Sequence, residues 1–303
     1  SSDASLGLPP SGARGLDQSS SDVSVKTGHD PASDTSDELS AGYTRRKYAS
    51  DERPLSSGII HKTFSLNPDR SFAAPASDTS DELSAGYARR KDASDERSPG
   101  SKLSLWIDAA QIGPSYIPGH AHADSLTFVL HHNGQPIIVD PSISTYEKNA
   151  RRAWERSTAA HNTVVVGGAN SSDVWGGFRV GKRATTYLLK HDEVAVVAEH
   201  DGYGAVRHRR SFRITEKELR VTDILSQKDV TASAFFHFAP GQEPEILGES
   251  LKVGPLRFTF TDNADLKLFT YQSATGFNTV VNASGLEVVF RDRLDCAIRE
   301  RSK

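Results

Sequence analysis

The chain has 303 residues, a formal net charge of −3, one cysteine and no methionine. The lone Cys296 excludes an internal disulfide and any multi-cysteine metal site, and the near-neutral balance points to no nucleic-acid partner. No apolar run reaches the roughly 18 residues of a membrane span, so no membrane insertion is expected.

Residues 1–100 are rich in Ser, Asp, Gly, Pro and Ala. Such a segment buries too little apolar surface to offset its ordering entropy, and it is expected to be low-complexity and largely disordered. Within it, PASDTSDELSAGYTRRKYASDER at 31–53 recurs at 75–97, differing only at Thr44/Ala88 and Tyr48/Asp92. Two copies are too few to stack a solenoid core, so the repeat reads as duplication of one segment, with its Arg-Arg-Lys runs as solvated charge. The opening Ser1-Ser2-Asp3 carries no charged-then-apolar export segment. With no methionine anywhere, the chain reads as part of something longer.

From 101 to 303 the pattern is short β-rich runs. They are 103–107, 126–130, 137–139, 163–166, 184–189, 194–198, 212–214, 219–225, 234–239, 256–261, 266–271 and 286–291. Asn133-Gly134, Gly167-Gly168, Gly176-Gly177, Asp201-Gly202 and Ser284-Gly285 separate them as turns. Only 147–160 is a candidate helix. The expected fold is mainly β, an antiparallel sandwich of stacked sheets.

The densest chemistry lies in Pro118-Gly119-His120-Ala121-His122-Ala123-Asp124, ahead of an apolar run. As a strand, it would place His120, His122 and Asp124 on one face. Further on, Asp140 ends a strand before Pro141, and His161 precedes Val164-Val165-Val166. His122, Asp140 and His161 therefore sit at strand ends, where neighbouring strands could gather them. Two imidazoles and a carboxylate leave a coordination position open, which suits Zn2+; hydrogen-bonded strand termini are the alternative. Tyr146 stands near Arg151, Arg152 and Arg156, cations that would assist a proton-donating phenol or bind an acidic polymer. An interfacial tyrosine is the plainer alternative. The runs Arg207-His208-Arg209-Arg210 and Arg179/Lys182/Arg183 read equally well as a basic groove or as solvated strand faces. His131, His132 and His237 sit in apolar contexts and read as structural. The H-x-H-x-D-H pattern of metallo-β-lactamases fails at Ser125, and the cupin pattern fails at Leu126, which argues against a zinc hydrolase.

The ordered segments PGHAHADSLTF, IIVDPSISTYE and RSTAAHNTVVV resemble the heparinase II/III-like polysaccharide lyases. VWGGFRVGKRA, HRRSF, FFHFAP and a Ser-Ala-Gly-Tyr at 84–87 are similar to the same family. The resemblance implies a C-terminal β-domain that follows a helical toroid. It implies β-elimination of uronic-acid polysaccharides such as heparin, heparan-like glycosaminoglycan or alginate, in a bacterial periplasm or cell envelope. It also implies His122, Asp140 and His161 as ligands of a structural Zn2+, and His120 and Tyr146 as catalytic residues facing an acidic polysaccharide. Arg151, Arg152 and Arg156 are the expected substrate-binding cations, and Asp124 becomes a supporting partner. The family's carboxylate-neutralising Asn/His and a further Tyr come from the toroid, which residues 1–100 are too short and polar to supply. A non-catalytic carbohydrate-binding or assembly module is therefore the alternative.

Overall fold

In the computed structural model, residues 58–66, 101–261 and 264–301 are described. The two repeat copies and the Ser-Ala-Gly-Tyr segment lie outside them. The first four strands are β1 (Ile59–Leu66), β2 (Ser101–Asp108), β3 (Phe128–His132) and β4 (Gln135–Ile138). A short helix α1 (Ala150–Glu155) and a 3-10 turn (Thr158–Ala160) follow, then β5 (Val164–Val166), β6 (Val174–Trp175) and β7 (Arg179–Val180). Next come β8 (Thr186–His191), β9 (Ala195–Tyr203), β10 (Val206–Ile214), β11 (Leu219–Leu225) and β12 (Thr231–His237). The chain continues through β13 (Glu245–Leu247), β14 (Ser250–Val253), β15 (Leu256–Phe260) and β16 (Asp265–Gly276), then β17 (Thr279–Arg291) and β18 (Arg293–Glu300).

These strands make a four-stranded sheet β1-β2-β3-β4, an eight-stranded sheet β13-β14-β15-β18-β11-β10-β9-β8, and a second four-stranded sheet β16-β17-β12-β5. β6 and β7 form a ribbon of their own. Alternation explains how the sheets stack. In β2, Leu103, Leu105 and Ile107 are fully buried while their neighbours face outward; each contributes roughly 1.5–3 kcal/mol. In β10, His208, Arg210, Phe212 and Ile214 point inward. The three main sheets meet at Phe128, whose ring lies 5.4 Å from Phe212 of β10 and 6.1 Å from Phe236 of β12, both edge-on.

The mainly antiparallel β architecture is as expected. One strand is not: β1 falls inside the segment expected to lack order. It pairs with β2 along its whole length, from Ile59 opposite Asp108 to Leu66 opposite Ser101. Its IIHKTFSL alternates as a half-buried strand should, but the polar residues around it swamp that signal in any compositional average. The stretch 118–124 is a loop, since its strand begins only at Phe128, so the one-face alternation of His120, His122 and Asp124 does not apply. Asp201-Gly202 is a third departure. It lies within β9, and the hairpin turns at Gly204, where φ is +68°. Gly202 is required there because the carbonyl of Ser171 crosses the strand where a Cβ would stand, leaving only 2.1 Å between them.

Gly202→Ala is therefore expected to destabilise the domain by about 1–3 kcal/mol through overpacking against backbone that cannot turn aside. Urea denaturation, read as a fall in midpoint at unchanged slope, measures it. An unchanged midpoint would mean that the crossing relaxes freely.

Candidate functional site

His122 and His161 come together in the interior, with His122 Nδ1 3.3 Å from His161 Nε2. Two imidazole nitrogens on one tetrahedral Zn2+ would stand about 3.3 Å apart, given Zn–N distances of about 2.0–2.1 Å. Asp124 completes a group whose candidate ligand atoms all lie within 4.8 Å of one another. Asp140 sits elsewhere: its Oδ2 is 2.7 Å from Nδ1 of His161, the nitrogen that faces away from His122. In this arrangement Asp140 orients His161 from behind, as outer carboxylates commonly do for metal-binding imidazoles.

Three buried side chains hold these segments in place. Asn162, next to His161, donates through Nδ2 to the carbonyls of Phe128 (2.9 Å) and Val139 (2.8 Å), tying β3 to the residue before Asp140. Its Oδ1 accepts from the His237 backbone N–H at 2.7 Å. Arg210 donates through Nη1 to the carbonyls of Leu126 (3.0 Å) and Asn162 (2.6 Å), so one nitrogen joins the His122 loop to the His161 segment. Its Nε and Nη2 hold Asp223 in a bidentate pair at 2.7 and 3.0 Å. Behind Asp223 runs a directional relay. The Gly202 N–H donates to His200 Nδ1 (3.1 Å), so His200 carries its proton on Nε2 and gives it to His208 Nδ1 (3.1 Å). His208 Nε2 then donates to Asp223 Oδ1 at 2.7 Å. Of the two readings of Arg207–Arg210, the solvated strand face holds for Arg207 and Arg209, which turn outward and pair with Glu199, while His208 and Arg210 are interior and serve neither reading. Backbone strain concentrates here as well. Leu126 (φ 62°) and Ser142 (φ 64°) are left-handed, each two residues beyond a site carboxylate, and Arg210 and Asp140 respectively pin them.

His120 and Tyr146 also meet, on an exposed face. Their rings are 5.6 Å apart and edge-on, with Phe178 5.6 Å from His120 and 5.7 Å from Tyr146 in a stack. Phe277, at the tip of the β16–β17 hairpin, closes the group at 6.2 Å from Tyr146. Hydrogen bonds from Ala274 N to Pro141 O (2.8 Å) and from Asn278 N to Ser144 O (2.6 Å) dock that hairpin on the Tyr146 loop. In the sequence Phe178 and Phe277 are marked only as aromatics beside glycine in a turn.

The three arginines divide. α1 is capped by Asn149, whose Oδ1 accepts from Arg152 N at 2.9 Å. Arg152 is buried beneath the aromatic face, its Cζ 5.3 Å from the Tyr146 ring and 5.8 Å from that of Phe178. Arg156 does not face a sugar: it is buried, with its guanidinium on the carbonyls of Ala121, Trp175, Gly176 and Arg179 at 3.0–3.4 Å. Ala121 lies between His120 and His122, so Arg156 fixes the peptide that joins the exposed face to the buried pair. Arg151 reaches the other way, to Gln272 Oε1 at 2.6 Å.

The family model "Heparinase II/III-like, C-terminal" matches residues 74–298. A search of curated proteins gave no match. Among solved structures, a heparinase III superposes with a TM-score of 0.56 at 20% identity, over 66% of this chain and 33% of that one. The heparan sulfate lyase HepC of Pedobacter heparinus superposes with a TM-score of 0.52 at 14% identity, over 67% and 34%. At such identities the likeness is one of fold. The chain spans about a third of the length of these structures.

Charge is concentrated at the buried pair. Burial, and then the charge of His161, lower the pKa of His122 to about 3, and the same causes lower His237 to about 3. Burial raises Asp124 to about 6. Burial opposes ionisation of Asp140, but His161 more than offsets it and holds Asp140 at about 2. His161 is raised: burial works against its charge, and Asp140, Asp124 and Asp108 prevail. A histidine lowered on folding binds its proton only in the unfolded chain, so stability falls as pH drops from about 6.5 towards the folded value. Asp124 acts in the opposite sense between its unfolded value of about 3.9 and its folded one. With chelator present, His122 and His237 should outweigh it, and urea stability should fall between pH 6.5 and 4. Each buried histidine would contribute up to about 1.4 kcal/mol per pH unit. His237→Gln should remove its share of the slope; a slope identical to wild type would refute the assignment.

Proposed function

Because the chain belongs to the heparinase II/III-like family through its C-terminal β-domain, a family of polysaccharide lyases, we propose that it forms the β-domain wall of a lyase site that cuts acidic polysaccharide by β-elimination. The observation that carries this reading is the meeting of His120 and Tyr146 on one exposed face, joined through a single fixed peptide to the His122–His161 pair. In β-elimination a base takes the proton at C5, beside the uronate carboxylate. The C4–O4 bond breaks, a C4–C5 double bond forms, and the leaving oxygen takes up a proton. Tyr146 would supply that proton, or act as base and acid in turn. His120, against its ring, orients the sugar or serves as the base for one epimer. The buried Arg152 guanidinium beneath Tyr146 adds positive potential where the carboxylate develops charge. Heparin, heparan-like glycosaminoglycan and alginate are the candidate substrates, and the proposed location is a bacterial periplasm or cell envelope. Among the described residues no helix is long and apolar enough to cross a membrane.

For the buried pair we propose a structural Zn2+, which would supply a fixed cross-link between the His122 loop and the start of β5. The residues fit: the two nitrogens have ligand spacing, and three carboxylates favour positive charge at His161. His122 and His161 would hold the ion with one carboxylate. That carboxylate is Asp124 as the side chains lie; a set of His122, Asp140 and His161 would require the Asp140–His161 hydrogen bond to break. A second reading, a non-catalytic sugar-binding module, draws on the exposed aromatics Tyr146, Phe178 and Phe277, which form a platform with or without chemistry.

Two measurements test this. Metal analysis should find about one equivalent of zinc per chain, and chelation or His122→Ala should lower the melting temperature. Of Asp124→Asn and Asp140→Asn, the one that loses the metal identifies the ligand; less than about a tenth of an equivalent in wild type would overturn the site. Separately, a full-length version that joins this β-domain to a helical toroid, incubated with alginate and glycosaminoglycans, should generate the absorbance of an unsaturated uronate. Tyr146→Phe should lower that rate by about 10²-fold or more. Sugar binding without product in that full-length version, retained in its Tyr146→Phe variant, would favour the binding module.

A further inference from the structure

A groove of about 550 Å³ lies between α1 and the outer edge of β16, away from the His120–Tyr146 face. Its volume falls within the range of small-molecule sites. The walls are aromatic: Trp154 stands 6.2 Å from Tyr271 at 32°, and Phe269 stands 6.3 Å from Tyr271 at 52°. The Tyr271 hydroxyl is spent on the Phe238 carbonyl at 2.8 Å and its ring is buried, so the half-buried Trp154 and Phe269 supply the accessible aromatic surface. The rim is polar, with Arg151 hydrogen-bonded to Gln272 and the exposed Asn282 directly across the strand pair from Gln272. No carboxylate among the described residues forms an ion pair with Arg151, so its positive charge is uncompensated there.

Partly exposed ring surface, two amides and one guanidinium without a carboxylate partner among the described residues make a recognition set for a pyranose that carries an anion. Its C–H face would lie on the rings, its hydroxyls would meet Asn282 and Gln272, and its carboxylate or sulfate would meet Arg151. β16 is the terminal strand of its sheet, so an added peptide strand competes for the same edge. Beside α1 that edge is already engaged. Arg151 crosses it at Gln272, and Ala274 N is already spent on Pro141 O at 2.8 Å. We propose that the groove is a metal-independent subsite for one anionic sugar residue of an acidic polysaccharide. It rests on the reading of the chain as acting on such polymers, and it adds a contact that neither the metal pair nor the aromatic face supplies. The two consecutive arginines of α1 then serve different residues of one polymer, Arg152 beneath Tyr146 and Arg151 at the groove.

The test is calorimetric titration of the full chain, with chelator present, using an unsulfated oligouronate, a heparan sulfate oligosaccharide and a neutral cello-oligosaccharide. Wild type should bind the anionic sugars and not the neutral one; the tighter of the two anionic ligands identifies carboxylate or sulfate as the partner. Arg151→Gln should weaken binding about tenfold or more, and Asn282→Ala by less, both with unchanged circular dichroism. Unweakened binding in both variants would overturn the subsite while leaving the lyase reading intact. Equal affinity for the neutral sugar would overturn its anion selectivity. Binding of no acidic sugar by wild type would overturn the substrate class and the subsite together, and competition by an extended peptide alone would assign the edge to strand addition.

Discussion

The structure depends on one buried ion pair. Arg210 and Asp223 are both interior, on the paired strands β10 and β11. A pair taken out of water this fully repays its desolvation only when every donor and acceptor is used. Here every guanidinium nitrogen and both carboxylate oxygens are engaged. Nη1, the one nitrogen that Asp223 leaves free, reaches two carbonyls of the site segments, and His208 donates to Asp223 as well. The pair thus converts the rigidity of the eight-stranded sheet into a fixed separation between the loop that carries His122 and the segment that carries His161. Neither segment has regular structure at those histidines, so nothing local would set that distance.

A similar economy governs the exposed face. α1 is a single short helix of the kind that is marginal alone, yet three of its charged or neighbouring side chains are buried: Arg152, Glu155 and Arg156. Glu155 holds the loop before Tyr146 through Ser144 N at 2.9 Å, Arg156 holds Ala121, and Arg152 lies under the rings. The helix is an anchor block, and the residues with solvent-facing chemistry project from the loops it fixes.

Much of this was legible in the sequence, and the limits have physical causes. β11 falls on the expected Leu219–Leu225 because alternating aliphatics between turn signals report one buried face. His122 and His161 were legible as a pair because each precedes an apolar strand. Arg210 was not: a charged run looks the same on a solvated face and in an interior, and its partner carbonyl at Leu126 is 84 residues away. Asp140 was legible as a neighbour of His161 because one ends a strand and the other precedes one, but spacing does not say which ring nitrogen it meets. Gly202 was read as a turn because the crossing of Ser171, a long-range contact, leaves no trace in neighbouring residues.

The relay from Gly202 through His200 and His208 to Asp223 runs in one direction only, each imidazole accepting on one side and donating on the other. A side chain that can only donate, or only accept, cannot replace either histidine without leaving an interior polar group bare. Positions 200, 208, 210 and 223 are therefore bound together as a unit of inheritance. Related chains that drift at one of them are expected to have drifted at the others in step, so that a pattern of co-substitution spanning three strands would record the wiring long after overall identity has faded.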